Sequence, residues 1–375
     1  MKKFMNQENM KYENCIDVFR LIKEKGRMTR KQIEEETGLS WGAVSNITAR
    51  LDSHGYITGQ KTKENSGPGR TPSYLEVDGR RYGTLGIDVN ITGMKAELVD
   101  LRNEPVKAWN GETDHSSKEA LLGCIFRILD MALSDKVSQR YEIAGIGVAM
   151  QGIVDAKRGI SVRLPRCSGW DRVPLAAMLE ERCGIPVWLE HDPDCILYAY
   201  AKKCEEQDMI LLRIDKGIGM AIMLDGKIRG GTGRLEIGHT IAVPGGERCI
   251  CGQRGCLEVY ASTEGVEKLS GKSLKSLAEA AEGKGSELLD AEGMAAKSLF
   301  MDVGQKLGTA IYNVRKIFNV SEILLCGEMM ENSRFFMDAV TRINEGARFT
   351  TVDAGRASYG AAVIALDHAV QRMKI

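Results

Sequence analysis

One short segment constrains the fold of this chain more than any other: HTIAVPGGERCICGQRGC, which runs from His239 to Cys256. It places one histidine and three cysteines, Cys249, Cys251 and Cys256, in a glycine-punctuated loop. Three thiolates and one imidazole are a donor set for tetrahedral Zn²⁺, and four protein ligands leave no open coordination position. The segment therefore predicts a structural zinc site; the alternative is a set of redox-active or unpaired thiols.

The remaining sequence is typical of a reducing compartment. The chain has ten cysteines in 375 residues, and the seven outside this loop are scattered. The start, MKKFMNQENMKYEN, lacks the apolar core of a secretory signal, and no apolar run is long enough to cross a bilayer. We therefore expect a cytoplasmic protein with no membrane partner, in which clustered thiols bind metal rather than form disulfides.

The formal net charge of zero conceals an uneven distribution of charge along the chain. Residues 1–81 carry 15 Lys/Arg and 11 Asp/Glu, a net of +4, so the remainder has a net of −4. A basic end on an acidic body is typical of a polyanion-binding module joined to something else.

That basic end contains three helical segments followed by two short strands. Thr29 and Ser40 are predicted N-caps of the second and third helices, and Gly38 stands in the turn between those helices. This is the helix-turn-helix arrangement, and the strands with their Lys/Gly/Pro loop form a wing. The recognition helix would lie in the major groove, with Asn suited to adenine and Arg to phosphate. The expected DNA contacts are Ser40, Trp41, Ser45, Asn46 and Arg50 on the helix, and Lys61, Lys63 and Arg70 on the wing.

From Tyr82 onward, β-branched runs alternate with helical stretches, which predicts an α/β fold. Two similar strand-hairpin starts indicate a duplicated fold of two lobes with a small-ligand cleft. The zinc loop connects Glu236 to Glu258, and a third acidic position, Asp192, follows His191 at the end of a predicted strand. Clustered carboxylates accept hydrogen bonds from adjacent hydroxyls and discriminate between polyols. The alternative is that these acids are solvated surface charges.

Together these residues resemble the ROK family of repressors, open reading frames and sugar kinases, over essentially the whole chain. The most specific element is EIGH (236–239) followed by CxCGxxGCLE (249–258). The resemblance implies an actin-like, hexokinase-like fold that binds a sugar. It matches Asp192 to the catalytic base and Glu236, His239 and Glu258 to sugar contacts. It also matches His239 and the three loop cysteines to zinc ligands, and His191 to a position where family repressors often have histidine.

Departures from the kinase pattern decide between enzyme and regulator. In the family kinases, a first hairpin and a second loop, both rich in glycine, bind the phosphates of ATP. Here the first phosphate hairpin lacks its two central glycines and reads GIDVNIT (86–92). The second phosphate loop reads DKGIG (215–219), which adds a carboxylate. Where the kinases have a pair of glycines near the adenosine, this chain has Cys326-Gly327-Glu328, with a single glycine. Arg166 replaces a sugar-binding Asn, which raises the hypothesis of an acidic or phosphorylated sugar; a structural salt bridge is the alternative. Arg234-Leu235 replaces a small pair before Glu236.

The sequence therefore predicts a DNA-binding transcriptional regulator, a repressor of carbohydrate-utilisation genes controlled by a sugar. We expect a winged helix-turn-helix domain (1–81), a first lobe (82–200, with a closing helix 358–375) and a second lobe (201–357). The second lobe would carry the zinc loop, the sugar-site residues and dimerisation helices. A homodimer or tetramer would bind an inverted repeat of double-stranded DNA. The alternatives are an ATP-dependent sugar kinase and a constitutive regulator whose sugar site is vestigial.

Overall fold

The N-terminal part of the chain folds into the predicted helices and small sheet. The computed structural model describes residues 7–61, 73–230, 235–283, 290–332 and 335–375. Thr29 and Gln32 form a capping box: the Thr29 hydroxyl oxygen accepts from the Gln32 N–H at 3.2 Å, and the Gln32 side chain accepts from the Thr29 N–H at 2.8 Å. In chain order the elements are α1 (Gln7–Lys25), β1 (Met28–Thr29), α2 (Arg30–Thr37), α3 (Trp41–Ser53), β2 (Ile57–Lys61) and β3 (Ser73–Val77).

The predicted recognition helix, α3, begins and packs as its sequence indicates. Gly38 ends α2 in the left-handed region, at φ 68°, where a residue with a Cβ is strained. Ser40 then caps α3 by accepting from the Ala43 N–H at 3.4 Å. Val44 and Leu51 are fully buried on one face of α3. Strands β2 and β3 pair antiparallel, which confirms the two strands of the wing.

The next part of the chain forms a five-stranded sheet in the order β11-β7-β4-β5-β6. Strand β4 pairs antiparallel with β5, with Asn90 opposite Gly93, and pairs parallel with β7, so the predicted hairpin is confirmed. In chain order the elements are β4 (Tyr82–Asn90), β5 (Gly93–Asp100), β6 (Pro105–Gly111), α4 (Lys118–Ser134), β7 (Glu142–Met150), β8 (Ile153–Asp155), β9 (Ile160–Arg163), β10 (Asp171–Val173), α5 (Leu175–Cys183) and β11 (Val187–His191).

A second five-stranded sheet has the order β14-β13-β12-β15-β16. Strand β12 pairs antiparallel with β13 and parallel with β15, so the carboxyl ends of β12 and β15 lie side by side. Phe300, Leu307 and Ile323, the last of which belongs to the sheet itself, are fully buried in one hydrophobic core. In chain order the elements are α6 (Asp192–Ala201), β12 (Met209–Ile214), β13 (Ile218–Leu224), β14 (Lys227–Ile228), α7 (Leu257–Ala261), α8 (Thr263–Ser270), α9 (Leu274–Glu282), α10 (Ala291–Phe318), β15 (Glu322–Cys326), α11 (Glu328–Asn332), α12 (Phe335–Ile343), β16 (Arg348–Thr351) and α13 (Ala357–Val370).

The chain divides into two compact units, and both sheets confirm the predicted α/β class. The first unit comprises the chain through residue 150 together with 165–189 and 361–375, and the second comprises 151–164 and 190–360. Helix α13 contributes residues to both units. The three domain boundaries expected from the sequence stay a prediction.

Within the first unit, the winged helix module shares one hydrophobic core with the end of the chain. Phe19 of α1 and Leu51 of α3 are fully buried in the same cluster as Leu366 and Val370 of α13. The Tyr12 hydroxyl donates to the carbonyl oxygens of residues 371 and 373, at 2.9 and 3.1 Å. The module is therefore packed on the C-terminal helix rather than tethered by a linker alone.

Helix α10, with 28 residues, is the longest helix in the described parts of the chain. It carries Lys297, Asp302 and Lys306 along its length, which a bilayer would penalise. In the residues that the structure describes, no helix combines the length and apolarity that crossing a membrane requires.

Candidate metal and ligand site

The structure brings the four predicted metal ligands together. One donor atom from each of His239, Cys249, Cys251 and Cys256 lies within 4.8 Å of the other three. The Sγ of Cys249 is 3.6 Å from Nδ1 of His239, and the Sγ atoms of Cys251 and Cys256 are also 3.6 Å apart. A tetrahedron with bonds of about 2.3 Å to zinc has edges of about 3.8 Å, so this cluster fits a tetrahedral zinc ion.

The backbone of the loop explains how these donors converge. His239 ends a short 3-10 turn, Ile237–His239, and the Cys249 N–H donates to the carbonyl oxygen of Gln253 at 2.8 Å. Gly255 has φ 81°, and a Cβ there would lie 1.7 Å from the carbonyl oxygen of Val243. Only glycine fits this position, because the chain must turn left-handed against its own backbone.

The electrostatics of the cluster favour a cation. Burial, and then the neighbouring thiols, raises the pKa of the Cys256 thiol to about 12. Thiolates packed this closely need a positive charge among them, and binding of a dication deprotonates such thiols. The donor set and its surroundings therefore fit the predicted metal.

Glu258 and Glu236 flank the loop but are placed differently. The partly buried Glu258 accepts from the N–H of Ile218 through Oε2 at 3.0 Å, so it holds the turn before β13. A Cβ on Gly217 would lie 2.9 Å from the same oxygen, which explains the glycine. Glu236 is exposed, and its backbone carbonyl accepts from the His239 N–H at 3.0 Å.

Asp192 lies in a buried chain of charges that sequence reasoning missed. It is the first residue of α6, and its Oδ2 accepts from the Arg213 guanidinium at 2.7 Å. The Nε of Arg213 donates to Oδ2 of Asp215, also at 2.7 Å. The Nε2 of His191 lies 3.7 Å from Oδ1 of Asp192. The sequence feature that could have indicated this chain of charges is the arginine within the otherwise apolar strand MILLRI (209–214).

Two further acids, Glu190 and Asp194, lie close to this chain of charges and were also missed. Burial, and then the charge of Asp194, raises the pKa of Glu190 to about 8. Asp194 is 2% exposed, and a Cβ on Gly230 would meet its carboxylate at 2.8 Å. The acidic spacing in LEHDPD was the signal, because this segment continues from a strand into a helix.

The first phosphate hairpin folds without a glycine-rich loop. Oδ1 of Asn90 accepts from both the N–H and the hydroxyl of Thr92, each at 3.2 Å. Residues 91 and 92 form the turn, and neither Asn90 nor Ile91 has a positive φ. The side chain of Asn90 therefore accepts the Thr92 N–H, a backbone donor that a phosphate-binding turn would present to its ligand.

Arg166 and Arg234 are the two arginines that the sequence adds to the predicted sugar pocket. Arg166 is exposed, has φ 69°, and belongs to the first compact unit, whereas Asp192, Glu236 and Glu258 belong to the second. Arg234 lies outside the described residues. The proposed contacts of Arg166 with a sugar stay a prediction.

The recognition helix presents the predicted polar face to solvent. Trp41 is 54% exposed, and Asn46 and Arg50 are also exposed, whereas Ser45 is partly buried. Ser40 is exposed and serves as the N-cap. On the wing, Lys61 ends β2, and Lys63 and Arg70 lie outside the described residues.

The model of the ROK family matches residues 84–359, almost three quarters of the chain. The chain belongs to the ROK family. It is 25% identical over 330 residues to the DNA-binding transcriptional repressor Mlc of Escherichia coli strain K12, covering 85% of this chain and 81% of Mlc. It is 26% identical over 357 residues to the transcriptional dual regulator NagC of the same strain, covering 89% and 85%. It is 24% identical over 355 residues to a xylose repressor of Caldicellulosiruptor bescii, covering 90% and 88%.

Solved structures confirm the predicted fold class, a winged helix-turn-helix followed by a two-lobed, actin-like ROK fold. A ROK family transcriptional regulator, a homologue of the E. coli Mlc protein, matches with a TM-score of 0.80 and 21% identity over 96% of this chain and 97% of its own. A ROK glucokinase from Streptomyces griseus, solved with glucose and AMPPNP, matches with a TM-score of 0.61 and 22% identity over 76% and 99%. The fold is thus shared by regulators and kinases.

Proposed function

We propose that this chain is a transcriptional regulator, a repressor of carbohydrate-utilisation genes whose affinity for operator DNA changes when a sugar binds. One observation carries the proposal: the chain combines a helix that exposes Trp41, Asn46 and Arg50 with a ROK family domain over residues 84–359. The named regulators match 85–90% of the chain, whereas the glucokinase structure covers 76% of it.

The DNA side of the proposal rests on α3 and the wing. Asn46 would contact a base in the major groove, and Arg50 a phosphate. Ser40, Trp41 and Ser45 would lie along the same groove, with Lys61, Lys63 and Arg70 of the wing against the backbone. A homodimer, or a tetramer built from dimers, would place two recognition helices about one DNA turn apart on an inverted repeat.

The ligand side of the proposal rests on the acids of the second unit. Asp192, Glu236 and Glu258 would accept hydrogen bonds from sugar hydroxyls, with His191 and His239 beside them. Arg166 would also contact the sugar. His239, Cys249, Cys251 and Cys256 would hold a structural zinc ion, which supplies rigidity to the loop between Glu236 and Glu258.

Fluorescence anisotropy of the full chain on labelled DNA from upstream of its own gene tests the proposal. The titration is repeated with D-glucose, D-xylose, N-acetyl-D-glucosamine and their phosphorylated and acidic derivatives. A change of tenfold or more in DNA affinity, about 1.4 kcal/mol, with one of these sugars is expected. DNA binding that no sugar alters would favour the constitutive regulator with a vestigial sugar site.

The kinase alternative has one observation in its favour, the retained Asp192 in a fold shared with glucokinases. Three features oppose it: the Asn90 turn, the Asp215 carboxylate and the pairing of Asp192 with Arg213. Turnover of a sugar with MgATP that Asp192→Asn abolishes would establish the enzyme instead.

A further inference from the structure

Arg213 is a buried cation shared between two carboxylates, and its position determines how Asp192 can act. It is 6% exposed, in strand β12, and Asp192 is 3% exposed. Its guanidinium donates to Asp192 and to Asp215 at 2.7 Å each. Rotation of the Asp192 side chain away from Arg213 would leave a buried carboxylate without its cationic partner, which costs much free energy. The pairing with the planar guanidinium therefore fixes the Asp192 side chain in one orientation.

Asp215 anchors Arg213 from the other side. Its Oδ1 accepts from the N–H of Glu328 at 2.7 Å, the first residue after the Gly327 turn. A Cβ on Gly327 would lie 2.7 Å from the same oxygen, and Gly327 has φ 103°. The Asp215 carboxylate thus lies between the carboxyl ends of β12 and β15, where open α/β sheets place their ligands. A phosphate there would have to displace it.

The charges around Asp192 favour an uncharged ligand. One arginine between two aspartates leaves a net charge of −1, and Asp194 adds another buried acid on the same helix. Cys326 of β15 and His191 also face this cluster, and exposed Lys216 follows Asp215. A carboxylate with one oxygen held by arginine still accepts a hydroxyl hydrogen through the other, whereas a second anion is repelled.

We propose that Arg213 is a positioning residue of the ligand site, which holds Asp192 as a fixed hydrogen-bond acceptor for a hydroxyl of an uncharged polyol. The inference rests on the proposed function and adds the ligand class. Arg213 contacts Asp192 and not the ligand, so its effect on binding passes through Asp192. Its removal therefore has no further effect once Asp192 has lost its charge.

The test is a double-mutant cycle, measured by isothermal titration calorimetry on the full chain. The ligands are D-glucose, D-xylose, N-acetyl-D-glucosamine, N-acetyl-D-glucosamine 6-phosphate and D-glucuronate. The proteins are wild type, Arg213→Met, Asp192→Asn and the double variant. Arg229→Met is the matched control, because Arg229 pairs with exposed Asp225 at 3.0 Å in the same unit. Circular dichroism and zinc content check that each variant is folded.

We expect wild type to bind one uncharged sugar, Arg213→Met to bind it at least tenfold more weakly, and Arg229→Met to match wild type. In the Asp192→Asn background, Arg213→Met should change affinity less than twofold, because the two residues act as one unit. Should Arg213→Met not fold, Arg213→Lys, which retains a cation that reaches one carboxylate, is expected to bind three- to tenfold more weakly than wild type.

Three results would overturn the inference while leaving the proposed function intact. They are wild-type affinity in Arg213→Met or Arg213→Lys, additive losses in the cycle, and tenfold tighter binding of the charged sugars than of their uncharged parents. If wild type binds none of the sugars, the proposed function itself has failed, and this inference falls with it.

Discussion

Tyr56 of the winged helix module stacks on Tyr82 at the start of the first large sheet, with ring centroids 4.7 Å apart. The Tyr82 hydroxyl donates to the carbonyl oxygen of His54 at 3.1 Å. Stacking and hydrogen bonding thus join the DNA-binding module to the strand that follows it. Tyr82 is buried, and its ring belongs to the same hydrophobic core as Tyr56 of the winged helix module.

Removing this ring should loosen the module. Tyr82→Ala is expected to lower the free energy of unfolding by about 3 kcal/mol, and Tyr82→Phe by about 1 kcal/mol for the lost hydrogen bond. Urea denaturation measures both changes. Tyr312→Phe, at a 41% exposed position on α10, is the control and should have no effect. Equal stability of Tyr82→Ala and wild type would show that the stack contributes nothing.

The recognition helix can be dissected by salt dependence. Arg50→Ala should weaken the binding of operator DNA and of unrelated DNA by about the same factor, because Arg50 would contact a phosphate. It should also reduce the slope of log affinity against log salt concentration by about 1. Asn46→Ala should cost about 1–3 kcal/mol on the operator and relax base preference at one position. Both are measured by anisotropy at several salt concentrations. A salt slope that Arg50→Ala leaves unchanged would remove Arg50 from the interface.

The metal prediction has a readout independent of DNA and sugar. Wild type should contain one zinc ion per chain by elemental analysis, and Cys256→Ser should lose it, because structural zinc sites need all four ligands. The control is Cys183→Ser, a partly buried cysteine in the first unit that hydrogen-bonds only locally in the described structure. Chelation should also lower the unfolding midpoint of wild type. Stoichiometric zinc in Cys256→Ser would contradict the assignment.

Glu190 gives a pH dependence with a definite sign. Its pKa is about 8 in the folded chain, raised by burial and then by Asp194, against an ordinary value of 4.5. Between these values the unfolded chain ionises Glu190 and the folded chain does not, so the folded chain binds more protons. The contribution of Glu190 to the free energy of unfolding therefore falls as pH rises from about 4.5 to 8, by at most about 1.4 kcal/mol per pH unit.

Glu190→Gln should remove that decline, so that the variant gains stability relative to wild type as pH rises from 5 to 8. Urea denaturation at several pH values measures the difference. Glu181→Gln, at an exposed position on α5, serves as the control. A stability difference between Glu190→Gln and wild type that does not vary with pH would show that Glu190 ionises normally in the folded chain.

Local features of the fold could be predicted because their causes are local. Thr29, Gly38 and Ser40 cap helices through partners within four residues, and the hairpin after Asn90 closes over two residues. The four predicted metal ligands converge for the same reason, since three of them lie within eight residues. Short-range spacing therefore determined these features.

Features that depend on distant packing could not be predicted. Arg213 meets Asp192 across 21 positions, and nothing in either segment specifies the other. Helix α13 is apolar on most faces, so its sequence did not indicate that Leu366 and Val370 pack against the module. Likewise, the pKa of Glu190 depends on burial, which arises only when the strand and helix assemble.

The proposed coupling between sugar binding and operator binding is tested most directly by thermodynamic linkage. By reciprocity, a sugar that changes operator affinity must have its own affinity changed by the same factor when operator is bound. The decisive measurement is the dissociation constant of that sugar for the free protein and for the protein saturated with operator. If the two binding events are coupled, the two dissociation constants differ by tenfold or more; identical constants would contradict the coupling.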